Sequence, residues 1–217
     1  MSKVQSITCQ SCLFKWLCNY QEKEGVSSHP ESTYLEPGET LYSQGKELKK
    51  LYAIKSGALK SVAQDGYIAD FYFQGDVVGL DGLNDKTHQM TLIAIENTLL
   101  CTFEYDKFYN ELIQHPHMVK DLIPLLGHQV NRQNTYHLHH KDAEHKVYQF
   151  ILKVSEKKKQ YGLCEKEFYL PMQYKDLANH LDIKVETLSR TISSINKKGN
   201  ILIKNKLIQI KDIDAIR

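Results

Sequence analysis

Arginine is almost missing from this chain: Arg132, Arg190 and Arg217 are the only three in 217 residues, so lysine supplies nearly all of the 28 basic side chains. No arginine precedes Arg132, which denies most of the chain the residue best shaped to grip a phosphate with paired donors. Long apolar runs are missing too. No stretch approaches the roughly 20 residues that a membrane-spanning helix needs, and the opening MSKVQSITCQ lacks the apolar core of a secretion signal. The expected location is therefore the cytoplasm, with no membrane as partner. Cysteine is scarce at five residues, and in a reducing compartment so few thiols, odd in number, point to metal, cluster or redox chemistry instead of disulfides. The chain also lacks internal repeats, a glycine-rich nucleotide motif and any pairing of nucleophile with base, which argues against an enzyme.

A hydrophobic content of 41% with 25% charged residues is that of an ordinary globular protein of one or two domains. The net charge of +2 is unevenly spread. From Lys141 onward 16 basic face 10 acidic side chains, a net of +6, leaving 12 against 16, or −4, for residues 1–140. A basic C-terminal third is what a domain facing a polyanion shows, although lysines on a solvated face have the same signature.

Three of the five cysteines, Cys9, Cys12 and Cys18, fall within the ten residues CQSCLFKWLC. Three closely spaced thiols call for a fourth ligand from elsewhere, and spacing alone leaves zinc and an iron–sulfur cluster equally open. Residues 34–105 read as β structure, with short segments rich in Tyr, Phe, Ile, Val and Leu punctuated by Gly38, Gly45, Gly57, Gly66, Gly75, Gly79 and Gly82, the pattern of a sandwich, jelly roll or barrel. From Asp106 the period changes: after the break at Pro116, Val119, Ile123, Leu126 and Val130 form one helical stripe that turns polar through Gln133, His137 and His140. That stripe fits a helix packed on its own barrel or a two-helix dimer seam. Pro124 is expected to kink or split it. A further helix is expected over 142–158, with Asp142 as N-cap and Val147, Phe150, Ile151 and Val154 facing inward.

In QYKDLANHLDIKVETLSRTISSINKKGNILIKNKLIQI, residues 173–210, Leu177, Ala178 and Leu181 mark a short helix. A turn at Asp182 and Ile183 leads to a second helix from Lys184 to Lys198 that Gly199 ends. Val185, Leu188, Ile192 and Ile195 are expected inside, with Glu186, Ser189, Arg190, Ser193 and Lys197 on the opposite face. Two strands at 201–204 and 207–210 complete a winged helix-turn-helix, whose second helix enters the major groove. A chain that avoids arginine has placed one on this face, where guanidinium can take guanine O6 and N7 with two parallel bonds worth ~1–3 kcal/mol of discrimination. Glu186 can accept from a cytosine amino group. A solvated Glu186–Arg190 ion pair explains the same two residues structurally.

VETLSR following DLANHLDIK resembles the recognition helix of the CRP/FNR family of transcription regulators. The similarity extends through KELKKLYAIKSGALKS, FYFQGDVVGLDGL and KDAEHKVYQFIL, and so over nearly the whole chain. The Cys-x2-Cys-x5-Cys spacing of Cys9, Cys12 and Cys18, with Cys101 late in the β region, resembles the oxygen-sensing FNR branch. The resemblance implies an α+β fold in four parts: a cluster-binding arm at 1–30, a cyclic-nucleotide-binding-like β-roll (jelly roll) at 31–105, a long dimerisation helix region at 106–140, and a winged helix-turn-helix at 141–217.

It further implies a [4Fe-4S] cluster on Cys9, Cys12, Cys18 and Cys101, which keeps a homodimer on DNA until oxygen converts it. Val185, Glu186, Ser189 and Arg190 are then the DNA-reading residues: Arg190 reads guanine, Glu186 the neighbouring pair and Ser189 an outer thymine, in inverted repeats of TTGAT type that control anaerobic genes. RNA polymerase is an implied partner, with exposed loop residues around Asp76–Asp81 as its contact surface. Cyclic nucleotide is not expected, since GLDGLNDKTHQMT lacks the cassette that cradles the cyclic phosphate. Trp16 and Leu17 are bulky enough to shield a cluster. Two departures stand out: Asp182 occupies a turn position where the family often has glycine, and Gln173 stands where a hydroxyl cap is usual. Cys164 falls outside the ligand set as an incidental loop thiol, and His137, His139 and His140 read as a solvated helix end. A zinc-holding or cluster-free regulator of the same fold, and an iron–sulfur electron carrier, are the rival readings.

Overall fold

The computed structural model describes residues 31–120, 122–124, 126–127 and 142–213. The chain divides into two units, 1–134 and 135–217.

In the first unit, eight strands form two antiparallel four-stranded sheets: β1 (Glu31–Leu35), β2 (Thr40–Tyr42), β3 (Lys50–Ser56), β4 (Ala58–Val62), β5 (Ile68–Phe73), β6 (Val77–Val78), β7 (Thr91–Ala94) and β8 (Thr98–Glu104). One sheet has the order β1-β8-β3-β6 and the other β2-β7-β4-β5. Side chains alternate in direction along a strand, so each strand of the first sheet feeds two cores. Leu35, Ile54, Val78 and Leu100 meet Leu59, Leu92 and Ala94 of the second sheet in the sandwich interior. The intervening residues Leu51, Ala53, Val77 and Phe103 point the other way. They are covered by Phe108 of α1 (Tyr105–Gln114) and by Met118 of the 3-10 turn Pro116–Met118. Leu51 and Leu100 are fully enclosed, each contributing roughly 1.5–3 kcal/mol by leaving water. Gly57 joins β3 to β4 at φ 94°, where a Cβ would lie 2.5 Å from the Asn97 carbonyl oxygen, so only glycine fits.

Backbone at 119–120, 122–124 and 126–127 is helical, so Pro124 lies in helical backbone. Leu122 leans on the core that Met118 enters, whereas Val119, Ile123 and Leu126 stay 40%, 62% and 36% exposed. Val130, Gln133, His137, His139 and His140 lie outside the described residues.

The second unit opens with α2 (Ala143–Gln160), started by Asp142, whose Oδ1 accepts the His145 N–H at 2.7 Å. Val147, Phe150, Ile151 and Val154 are buried, as the periodicity predicts. α3 (Tyr174–His180) and α4 (Val185–Lys198) follow. The short strand β9 (Glu167–Tyr169) joins the hairpin β10 (Ile201–Lys204) and β11 (Leu207–Ile210) in a sheet of order β10-β11-β9. Gly199 ends α4 in the left-handed region at φ 80°. Among the described residues no helix is long and apolar enough to cross a membrane.

Candidate functional site

α4 is amphipathic by spacing. Leu188, Ile192 and Ile195 are buried against α2 and the sheet, and Glu186, Ser189, Arg190, Ser193 and Lys197 are exposed. Val185 departs from the sequence expectation: it is 44% exposed and joins the outer face instead of the core. It is the first residue of the helix, and the inward stripe begins one turn later at Leu188. Val185, Glu186, Ser189 and Arg190 thus form one open surface on the first two turns. Among the described residues no ion pair links Glu186 to Arg190, so both side chains are available to an incoming partner. An apolar methyl pair, a carboxylate, a hydroxyl and a guanidinium side by side match the chemistry of base edges.

The helix is held from behind by Glu144 and Lys146, which sequence reasoning did not single out. Glu144 of α2 pairs with Lys198 and lies 3.5 Å from Ser194 Oγ. Hydrogen bonding to Glu144 holds the Lys198 ammonium above its ordinary pKa, and burial followed by Glu144 does the same for the Tyr148 phenol. Lys146, two positions further on, donates to the Leu181 carbonyl at 3.0 Å and so fixes the turn between α3 and α4. In that turn Asp182 sits at φ 50°, a conformation asparagine and aspartate tolerate better than other non-glycine residues. Phe150 meets His180 edge-on with ring centroids 5.6 Å apart. The available signal was spacing: residues 144 and 146 flank the inward stripe to which Phe150 belongs, though nothing local names their partners.

The wing turn is made by Asn205 and Lys206, both at positive φ (49° and 68°), a pair that suits the tight hairpin. Its tip places Lys204 and Asn205 in solvent.

In the first unit, β8 places Cys101 opposite Ala53 of β3 and Ser32 of β1. It is half-buried and packs against the cluster of Leu51, Phe103, Phe108 and Met118, on the sheet face away from the sandwich interior. Part of its surroundings is apolar and part is open. Cys9, Cys12 and Cys18 lie outside the described residues, and so do Trp16 and Leu17. Cys164 is exposed in the loop between α2 and β9.

The proposed exposed surface around Asp76–Asp81 is not there. Asp76 is 2% exposed and Val77, Val78, Gly79 and Leu80 are buried. Asp76 turns inward because its Oδ2 accepts the Phe73 N–H at 2.8 Å. A carboxylate supplied with backbone donors can be buried.

Residues 32–115 match the model of the cyclic nucleotide-binding domain and residues 145–217 that of the Crp-like helix-turn-helix domain. The chain is 30% identical to the fumarate and nitrate reduction regulatory protein of Salmonella typhimurium, over 97% of its own length and 89% of that protein's. The same identity and coverage hold for the protein of that name from Escherichia coli. In structure it is similar to FixK2 from Bradyrhizobium japonicum, with a TM-score of 0.78 and 20% identity over 86% of this chain and 95% of that one.

Proposed function

The chain belongs to the CRP/FNR family of DNA-binding transcription regulators, whose members act as dimers and are not enzymes, and within it we propose an oxygen-responsive regulator of anaerobic genes. In this reading Cys9, Cys12, Cys18 and Cys101 hold a [4Fe-4S] cluster. When bound, the cluster supplies an inorganic core that oxygen dismantles.

The observation that carries this reading is the position of Cys101. Its side chain packs in the same apolar cluster as Met118 and Leu122, the residues that lead into the stripe Val119, Ile123 and Leu126. Large apolar side chains left in solvent along one helical stripe support a seam for a second copy of this chain. A ligand at Cys101 bears on the packing beneath that seam, so gain or loss of ligation biases pairing.

On DNA, Arg190 takes guanine, Glu186 accepts from the adjoining pair, Ser189 meets the outer thymine edge and Val185 lies against a methyl group, in half-sites of TTGAT type. A two-fold dimer sets its recognition helices about 34 Å apart, one helical turn of DNA. RNA polymerase is the further partner, at a surface other than residues 76–81, and no cyclic nucleotide is required.

The test is to prepare Cys101→Ser, Cys164→Ser and the parent chain without oxygen and to measure iron, sulfide and visible absorption. The parent and Cys164→Ser are expected to be coloured and Cys101→Ser colourless. A colourless parent with stoichiometric zinc supports a zinc-holding regulator instead.

A further inference from the structure

The β-roll contains a second polar constellation, built around Asp81 in the 3-10 turn Leu80–Gly82. Its Oδ2 accepts the backbone N–H groups of Gln89 at 2.9 Å and Met90 at 3.2 Å. Its Oδ1 accepts the Tyr42 hydroxyl at 3.1 Å and lies 3.3 Å from His88 Nδ1. The His88 ring, 4% exposed, stacks on Tyr42 with centroids 3.6 Å apart and planes 11° from parallel. Tyr42 Oη in turn accepts the Gly79 N–H at 3.0 Å. Burial, followed by the Asp81 charge, holds the Tyr42 phenol well above its usual pKa, so it stays a donor.

Two consecutive backbone N–H groups joined by two side-chain donors are the recognition chemistry of a carboxylate or a phosphate. These donors come from β2 and from the 88–90 segment, and lie within the 32–115 match to a domain type whose ligand carries a phosphodiester anion. The oxyanion they hold is the chain's own. We propose that Tyr42, His88, Gln89 and Met90 form an oxyanion cradle whose resident ligand is the Asp81 carboxylate, closing this part of the roll to carboxylates and phosphates from solution. The proposal deepens the reading that no cyclic nucleotide is required. A carboxylate tethered on a turn is present at a high effective concentration, so a free anion competes poorly until the tethered one is removed.

The experiment compares the full-length parent, Asp81→Ala and Asp81→Asn by thermal unfolding in sodium formate, inorganic phosphate or sodium chloride at equal ionic strength, with calorimetric titration of cyclic AMP into the parent. Asp81→Ala is expected to melt about 5–10 °C lower in chloride. Formate or phosphate should restore more than half of that loss, because the vacated donors accept a free oxyanion. Asp81→Asn should lose stability and gain nothing, because its amide still fills the cradle. If Asp81→Ala does not fold in chloride, the same comparison is read as refolded yield with formate against chloride. Equal effects of formate, phosphate and chloride, equal recovery of the two variants, or cyclic AMP binding to the parent each overturn the proposal. No readout involves iron, air or target DNA, so its failure is distinct from failure of the oxygen-sensing reading.

Discussion

The side chain of Asn196 on α4 pairs with both backbone polar groups of Ile203 on β10: Nδ2 donates to the carbonyl at 3.0 Å and Oδ1 accepts the N–H at 2.7 Å. One amide thus continues the hydrogen bonding of the wing onto the recognition helix. Asn196→Ala leaves a part-buried donor and acceptor unmatched, at a cost of about 1–3 kcal/mol. The expected outcome is weaker binding to matched and mismatched DNA alike, read by fluorescence anisotropy, with a lower unfolding midpoint in urea. An unchanged midpoint would show that the pairing contributes nothing.

The wing itself was legible. Ile201 and Ile203 alternate with polar or half-exposed residues, Ile208 and Ile210 answer them across the hairpin, and Asn205 marks the turn. α2 was legible from the Asp142 cap and its apolar stripe. β9 was not, because three residues with one buried side chain, Phe168, carry no periodicity, and the strand exists through its pairing with β11. The burial of Asp76 and the knot at Asp81 were hidden for a related reason. Charged residues among glycines read as loop, and only the folded chain shows which N–H groups reach their carboxylates. The outward turn of Val185 follows from where α4 begins, a boundary effect at the end of a stripe. Cys101 was recognisable as a ligand candidate through resemblance alone, while its packing with Met118 required the fold.

Positive φ has opposite consequences at two positions. Gly57→Ala forces a Cβ into the Asn97 carbonyl oxygen and the Thr98 backbone, so the variant should lose several °C of thermal stability or fail to accumulate. Asp182→Gly relieves a side chain at φ 50° in an exposed turn and should stabilise the second unit by about 0.5–1 kcal/mol. Differential scanning calorimetry of the two variants checks both signs.

Alkaline stability tests the environment of Tyr42. Its phenol pKa is raised by burial and then by Asp81, so the folded chain keeps a proton that the unfolded chain releases above about pH 10. The stabilisation is complete below that pH and is lost as pH rises toward the folded value. Lys50, raised by its hydrogen bond to Glu104, acts in the same direction. Urea unfolding of the parent and Tyr42→Phe between about pH 8 and 11 should show a shallower alkaline decline for the variant. Parallel curves would remove Tyr42 as the cause.

Two basic residues should separate specificity from affinity. Arg190→Ala is expected to lose about 1–3 kcal/mol of preference for the guanine-containing half-site. Lys206→Ala should weaken all sequences equally and lower the salt slope by about one. Binding titrations on matched and substituted half-sites across a salt series read both effects. Full discrimination retained by Arg190→Ala would reassign that residue.

The role in pairing two subunits that we propose for the four cysteines is tested most directly by sedimentation velocity on one oxygen-free preparation, run before and after exposure to air, with iron measured in parallel. About four iron atoms per chain and a dimer are expected before exposure, then iron loss and monomer afterwards. Iron-free material from the anaerobic preparation, or identical sedimentation before and after air, would contradict it.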